Sequence, residues 1–242
     1  MISEGQRRVV IKSDPYSEPY LEGAGLEFRL TYEGPLLSDS KRSESVRKTR
    51  ADNKQEIRQA FHKQLKRLWE VNPFLAASGR AIPIPGVKTV IFGRLPYSIE
   101  EIAYEFREHG YRFVPLATHK LGVFCSVNVL LMRPNALGGV ITNTGDIDNG
   151  FKVIFDALSK PRTASQLGKY QVPREGEDPF FCLLEDDKLI TKATVESDLM
   201  LQPLKDRVTC EDKDFLNPTD ARVLVTVKLA PIELNAATAG FA

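Results

Sequence analysis

The stretch from Val123 to Leu158 constrains the fold most, because its apolar residues change period partway along. Val123-Phe124-Cys125-Ser126-Val127-Asn128-Val129-Leu130-Leu131 is apolar enough for a central strand, expected over 122–132 and ended by Arg133-Pro134. After a loop at 135–144, Phe151, Ile154, Phe155 and Leu158 recur at i, i+3, i+4 and i+7, which is one apolar face of a helix. A central strand followed by an amphipathic helix buries both when the helix lies on a sheet.

That helix opens with chemistry. Gly145-Asp146-Ile147-Asp148-Asn149-Gly150-Phe151-Lys152 places two carboxylates, an amide and an ammonium at its start. Asp148 or Asn149 suits the N-cap, where a side-chain oxygen satisfies an orphan amide. Lys152 and Asp156 follow Asp148 at steps of four and share its face. In an extended segment Asp146 and Asp148 would point the same way, and paired carboxylates repel unless a cation neutralises them. The residues therefore fit helix caps and also oxygen ligands for a hard divalent ion such as Mg²⁺. Asp-x-Asp-x-Gly also opens an EF-hand loop, but the twelfth position, which needs a carboxylate, is Ala157.

Around this centre the chain alternates strand and helix patterns. Residues 26–32 alternate as a half-buried strand, and 34–50 read as a loop. Asp52 and Asn53, with Glu56, carry capping-box chemistry for a helix with Ile57, Phe61, Leu65 and Leu68 as its buried stripe, flanked by Trp69 and stopped at Pro73. A short strand is expected at 88–92. Ser98-x-x-Glu101 starts a second helix, closed by Gly110, and 111–115 forms a strand. Residues 159–179 read as a long excursion, Phe180–Leu184 as an apolar run delivering Glu185-Asp186-Asp187, and 194–201 and 221–229 as strands.

Net charge is only +1 over 242 residues, so any affinity for nucleic acid must come from local clusters. Lys41, Arg42, Arg47, Lys48 and Arg50 form the densest one. Lys160, Arg162, Lys169 and Arg174 form a second, on the excursion. Each reads as a solvated segment or as a DNA-contacting flap. Cys125, Cys182 and Cys210 lack metal or redox spacing and read as reduced cytosolic thiols. No apolar run reaches membrane-spanning length and no secretory leader is evident, so a cytoplasmic protein without membrane contact is expected. His62, His109 and His119 are scattered, and neither a phosphate-binding P-loop nor a Gly-x-Ser-x-Gly motif is present.

Asp146-x-Asp148-Asn149-x-x-Lys152-x-x-x-Asp156-Ala157-Leu158, followed by Asp186-Asp187 behind an apolar run, resembles the RusA family of Holliday junction resolvases. Beyond that core the similarity is one of element order. The resemblance implies a Mg²⁺-dependent endonuclease acting on branched DNA as a homodimer. Asp146, Asp148 and Asp187 would be metal ligands and catalytic residues, and Lys152 a catalytic cation. Asn149, Asp156 and Asp186 would support them, Asp156 by orienting Lys152. The expected architecture is one α+β domain over 26–234, a mixed sheet carrying two or three helices, with an insertion at about 74–113 relative to a minimal RusA-like core. A poorly ordered arm (1–25) and a flexible tail (235–242) flank it. Two other readings use the same residues: a non-catalytic DNA-binding or scaffold protein that keeps the acidic core, and a metal-dependent phosphodiesterase on another nucleic acid.

Overall fold

The structure, a computed structural model, describes residues 25–37, 44–79, 95–134, 147–202, 204, 219–233 and 238–241; for 44, 147–149 and 239 it describes the main chain alone. All but the last residue of the arm expected at 1–25, the strand expected at 88–92, and Lys41, Arg42, Asp146 and Cys210 lie outside these residues.

The fold is mixed α+β. The expected mixed sheet is divided in two. In the larger, strands β1 (Glu27–Pro35), β7 (Asp220–Pro231), β4 (Val123–Arg133) and β6 (Ile190–Leu199) lie in the order β1-β7-β4-β6. β7 runs antiparallel to both neighbours, whereas β4 and β6 are parallel. The smaller sheet joins β2 (Arg107–Glu108), β3 (Tyr111–Ala117) and β5 (Phe180–Leu184), with β3 and β5 parallel. Alternation of buried and half-exposed residues along β4 and β7 gives the larger sheet one apolar face, with Val127 opposite Val227 and Val129 opposite Val225.

Helix α1 (Glu44–Val71) begins eight residues before Asp52, so the expected loop at 34–50 ends early and Arg47 and Lys48 are exposed on a helix. Asn53 is not its cap. Its Oδ1 accepts from the Leu37 amide at 3.1 Å and its Nδ2 donates to the Pro35 carbonyl at 2.8 Å, pinning the end of β1 to the helix. Ile57, Phe61, Leu65 and Trp69 are buried as the periodicity predicts. Gln64 continues the attachment by pairing with both the amide and the carbonyl of Thr31 on the edge strand β1, at 2.9 and 2.7 Å.

Pro73 starts the one-turn α2 (Pro73–Ala76), and α3 (Ile99–Glu105) carries the expected Ser98/Glu101 capping box. Gly110 does not close α3. It sits at φ +82° in the turn between β2 and β3, after His109 at φ 52°, where a left-handed pair is needed to reverse the chain.

The excursion at 159–179 is fastened to α1. Leu167 and Tyr170 are buried, the Lys169 amide donates to Asp52 Oδ1 at 2.7 Å, and the Tyr170 hydroxyl donates to Glu56 Oε1 at 2.7 Å. The expected C-terminal tail is also anchored: Phe241 is 0% exposed and meets Phe74 edge-on at 4.9 Å.

Candidate functional site

Helix α4 (Ile147–Leu158) lies beside the larger sheet with Ile154, Ala157 and Leu158 fully buried, while Phe151 and Phe155 are half-buried and stack on each other at 6.4 Å. Its first helical residue is Ile147, so Asp148 and Asn149 sit inside the first turn rather than at the N-cap. A carboxylate there is favoured by the positive end of the helix dipole. The extended segment that would align Asp146 with Asp148 does not reach Asp148.

The two ends of α4 differ in charge pairing. At the C-terminal end, the buried Arg58 donates from Nη2 to the Asp156 carbonyl at 2.6 Å and from Nε to the Ser159 carbonyl at 3.0 Å, satisfying oxygens the helix leaves open. Its Nη1 meets Gln55 Oε1, and burial lowers the Arg58 pKa to about 10. The Asp156 carboxylate pairs with Lys54 at 2.7 Å, so it does not orient Lys152 as expected. Near the N-terminal end, Lys152 is exposed and has no ion-pair partner among the described residues.

Asp186 and Asp187 follow β5. Asp186 caps the short 3₁₀ turn Asp187–Leu189 by accepting from the Lys188 amide at 2.9 Å, and that hydrogen bond holds its carboxyl below the usual range. The Asp187 carboxyl is pushed up by its hydrogen bond with Asp186. Arg162 spans the pair, at 3.2 Å from Asp186 Oδ1 and in close contact with Asp187. Arg162 is thus ion-paired within the chain. Lys160 is likewise engaged with Glu108 at 2.7 Å, Lys169 with Glu56, and Arg174 stacks over Tyr170 at 4.3 Å.

The structure separates Asp187 from Asp148. Ser159, just past the C-terminal end of α4, bridges Leu184, and Ile190 lies opposite Cys125 at the start of β4. Gly150, in the first turn of α4, instead lies against Leu131 and Arg133 at the end of β4. The helix between them rises about 15 Å, at about 1.5 Å per residue. The main chains of Asp148 and Asp187 thus lie toward opposite ends of α4, and among the described residues no three His, Cys, Asp or Glu side chains form a metal-sized cluster.

Sequence reasoning passed over Arg58 and Arg133. Arg133 had a signal: it extends the in-phase series Val123, Cys125, Val127, Val129, Leu131, so period two aims it inward. Arg58 had none, because it lies among other cations of a basic helix.

No described helix is long and apolar enough to cross a membrane. Compared with models of known families, with characterised proteins and with solved structures, the chain matches none.

Proposed function

We propose that the chain is a metal-dependent endonuclease of RusA-like type acting on branched DNA, with its centre at the N-terminal end of α4. The observation that carries this reading is the asymmetry of that helix. Lys54 and Arg58 engage its C-terminal turn, whereas Lys152, one turn beyond Asp148, is exposed without an ion-pair partner among the described residues. A cation so placed can stabilise charge building on a phosphate in the transition state.

Carboxylate oxygens are the ligands a hard divalent cation takes, and Asp146 and Asp148 would hold it. Bound there, Mg²⁺ supplies a water of lowered pKa and counter-charge for the phosphate. Asp186 and Asp187 also have the chemistry of a cation site, since the proximity that raises the Asp187 pKa is relieved by positive charge. They stand at the other end of α4. A homodimer is the arrangement in which the acidic pair of one copy can approach the α4 N-terminus of the other.

One observation favours a second reading, a DNA-binding or scaffold protein without catalysis: Arg162 already neutralises Asp186 and Asp187 from within the chain. Cleavage of four-way junction, flap, duplex and single-stranded DNA, with Mg²⁺ and with EDTA, separates the two. Mg²⁺-dependent nicking of branched substrates is expected. Binding without any cleavage assigns the scaffold reading.

A further inference from the structure

Among the described residues two arginines are buried, and only one of these is hydrogen-bonded through its guanidinium. Arg58 reaches three oxygens, those of Gln55, Asp156 and Ser159. Arg133 is 4% exposed, its Nε is buried without a hydrogen-bond partner, and no ion pair reaches it among the described residues. A buried guanidinium nitrogen without a partner is costly, and such a group calls for a ligand or another specific cause.

Its position indicates what that ligand is. A Cβ built on Gly150 would lie 3.2 Å from Arg133 Nη2, so the bare glycine in the first turn of α4 leaves room for the guanidinium against that turn. α4 has 12 residues, and the amides of its first turn have no acceptor within the helix. Guanidinium donors beside the positive end of a helix dipole form a site for a phosphate oxyanion.

We propose that Arg133 and the first turn of α4 form a phosphate-binding subsite. Arg133 supplies charge-assisted donors and Gly150 keeps the approach open. Asp148 in the same turn opposes a lone anion and is offset by a divalent cation, so phosphate binds more tightly with Mg²⁺ present. The subsite rests on the nuclease reading for the source of the phosphate, a DNA backbone, and for the effect of Mg²⁺.

The test is calorimetric titration of inorganic phosphate into the full chain, with and without Mg²⁺, for wild type, Arg133→Met and Arg133→Lys, with a melting curve for each. Arg133→Met removes a buried charge and keeps the volume, so its melting temperature should hold or rise. Its phosphate affinity should fall by roughly tenfold or more, the effect of losing hydrogen bonds to a charged group. Arg133→Lys, which keeps the charge and loses the planar fork, should fall in between. Equal phosphate affinity in the three proteins overturns the subsite. So does an Arg133→Met protein that melts lower and binds phosphate as wild type does, which makes Arg133 an internal counter-ion. Arg133-dependent phosphate binding without cleavage of any DNA keeps the subsite and removes the nuclease reading. Mg²⁺-dependent cleavage with phosphate affinity indifferent to Arg133 does the reverse.

Discussion

Arg58 donates a hydrogen bond of 2.6 Å to the main-chain oxygen of Asp156, and through it the middle of α1 holds the last turn of α4. Arg58→Met would leave the oxygens of Asp156, Ser159 and Gln55 buried without donors. The expected loss is about 3 kcal/mol of unfolding free energy, given about 1–3 kcal/mol per unsatisfied buried group and partial relief from removing a desolvated charge. Urea denaturation of the variant measures it, and an unchanged midpoint would remove the clamp from the account of α4.

Buried His62 stacks on Phe180 at 4.4 Å, and its Nδ1 accepts from the Phe181 amide at 2.8 Å, so the neutral ring carries its proton on Nε2, toward the Gly176 carbonyl. Burial lowers its pKa. The unfolded chain, titrating near 6.5, binds the proton first, so the stability His62 contributes is complete above pH 6.5 and is lost as pH falls from there through the lower folded value. His62→Gln keeps an acceptor for Phe181 and should flatten the pH dependence of the urea midpoint between about pH 6.5 and 5. A variant with the wild-type slope would place the titration elsewhere.

Lys152→Ala should slow Mg²⁺-dependent cleavage by about a hundredfold or more, as loss of one preorganised electrostatic donor does. Junction affinity should change little, because one phosphate contact among many shifts the salt dependence by only about one unit. Single-turnover rates beside gel-shift affinities measure both. Binding weakened as much as cutting would make Lys152 a docking residue.

Asp148→Asn and Asp187→Asn should each abolish cleavage, and the mixture tells whether the site is shared. If Asp148 of one copy works with the acidic pair of another, a mixed dimer of the two variants contains one intact site, and subunit exchange should restore activity. If each chain is self-sufficient, the mixture stays dead. Cleavage measured after mixing the two purified proteins under exchange conditions gives the answer.

Arg162→Gln should raise the Asp187 pKa further, since the guanidinium lowers it, and should leave global stability nearly unchanged because the ion pair is exposed to solvent. Carboxylate titration by NMR measures the shift. A large loss of stability would instead make Arg162 the fastener of the excursion.

Legibility followed periodicity. The stripe Ile57–Phe61–Leu65, the run Val123–Leu131 and the Ser98/Glu101 box were readable because each depends on spacing within one element. The start of α1 was missed because Asn53 carries the chemistry of a cap, while its partners, Leu37 and Pro35, come from another segment. Gly110 was misplaced for a similar reason: a left-handed glycine serves a hairpin as well as a helix end. At the candidate site, the acids and Lys152 are visible as residue types, and their relative placement is not. The parallel pairing of β4 with β6 decides it, because a parallel crossover sends the chain back to the start of β4 before Asp187 is delivered.

The pairing of β1 with β7 joins residues 27–35 to 220–231. On a ribosome, β1 emerges well before β7, its strand partner among the described residues, and β4 gains its antiparallel neighbour only when β7 is made. Through that interval Gln64 of α1 is the group placed to occupy the open rim of β1. β1 is made well before β7 can pair with it, so holding it apart from other nascent chains falls to the long helix that follows it.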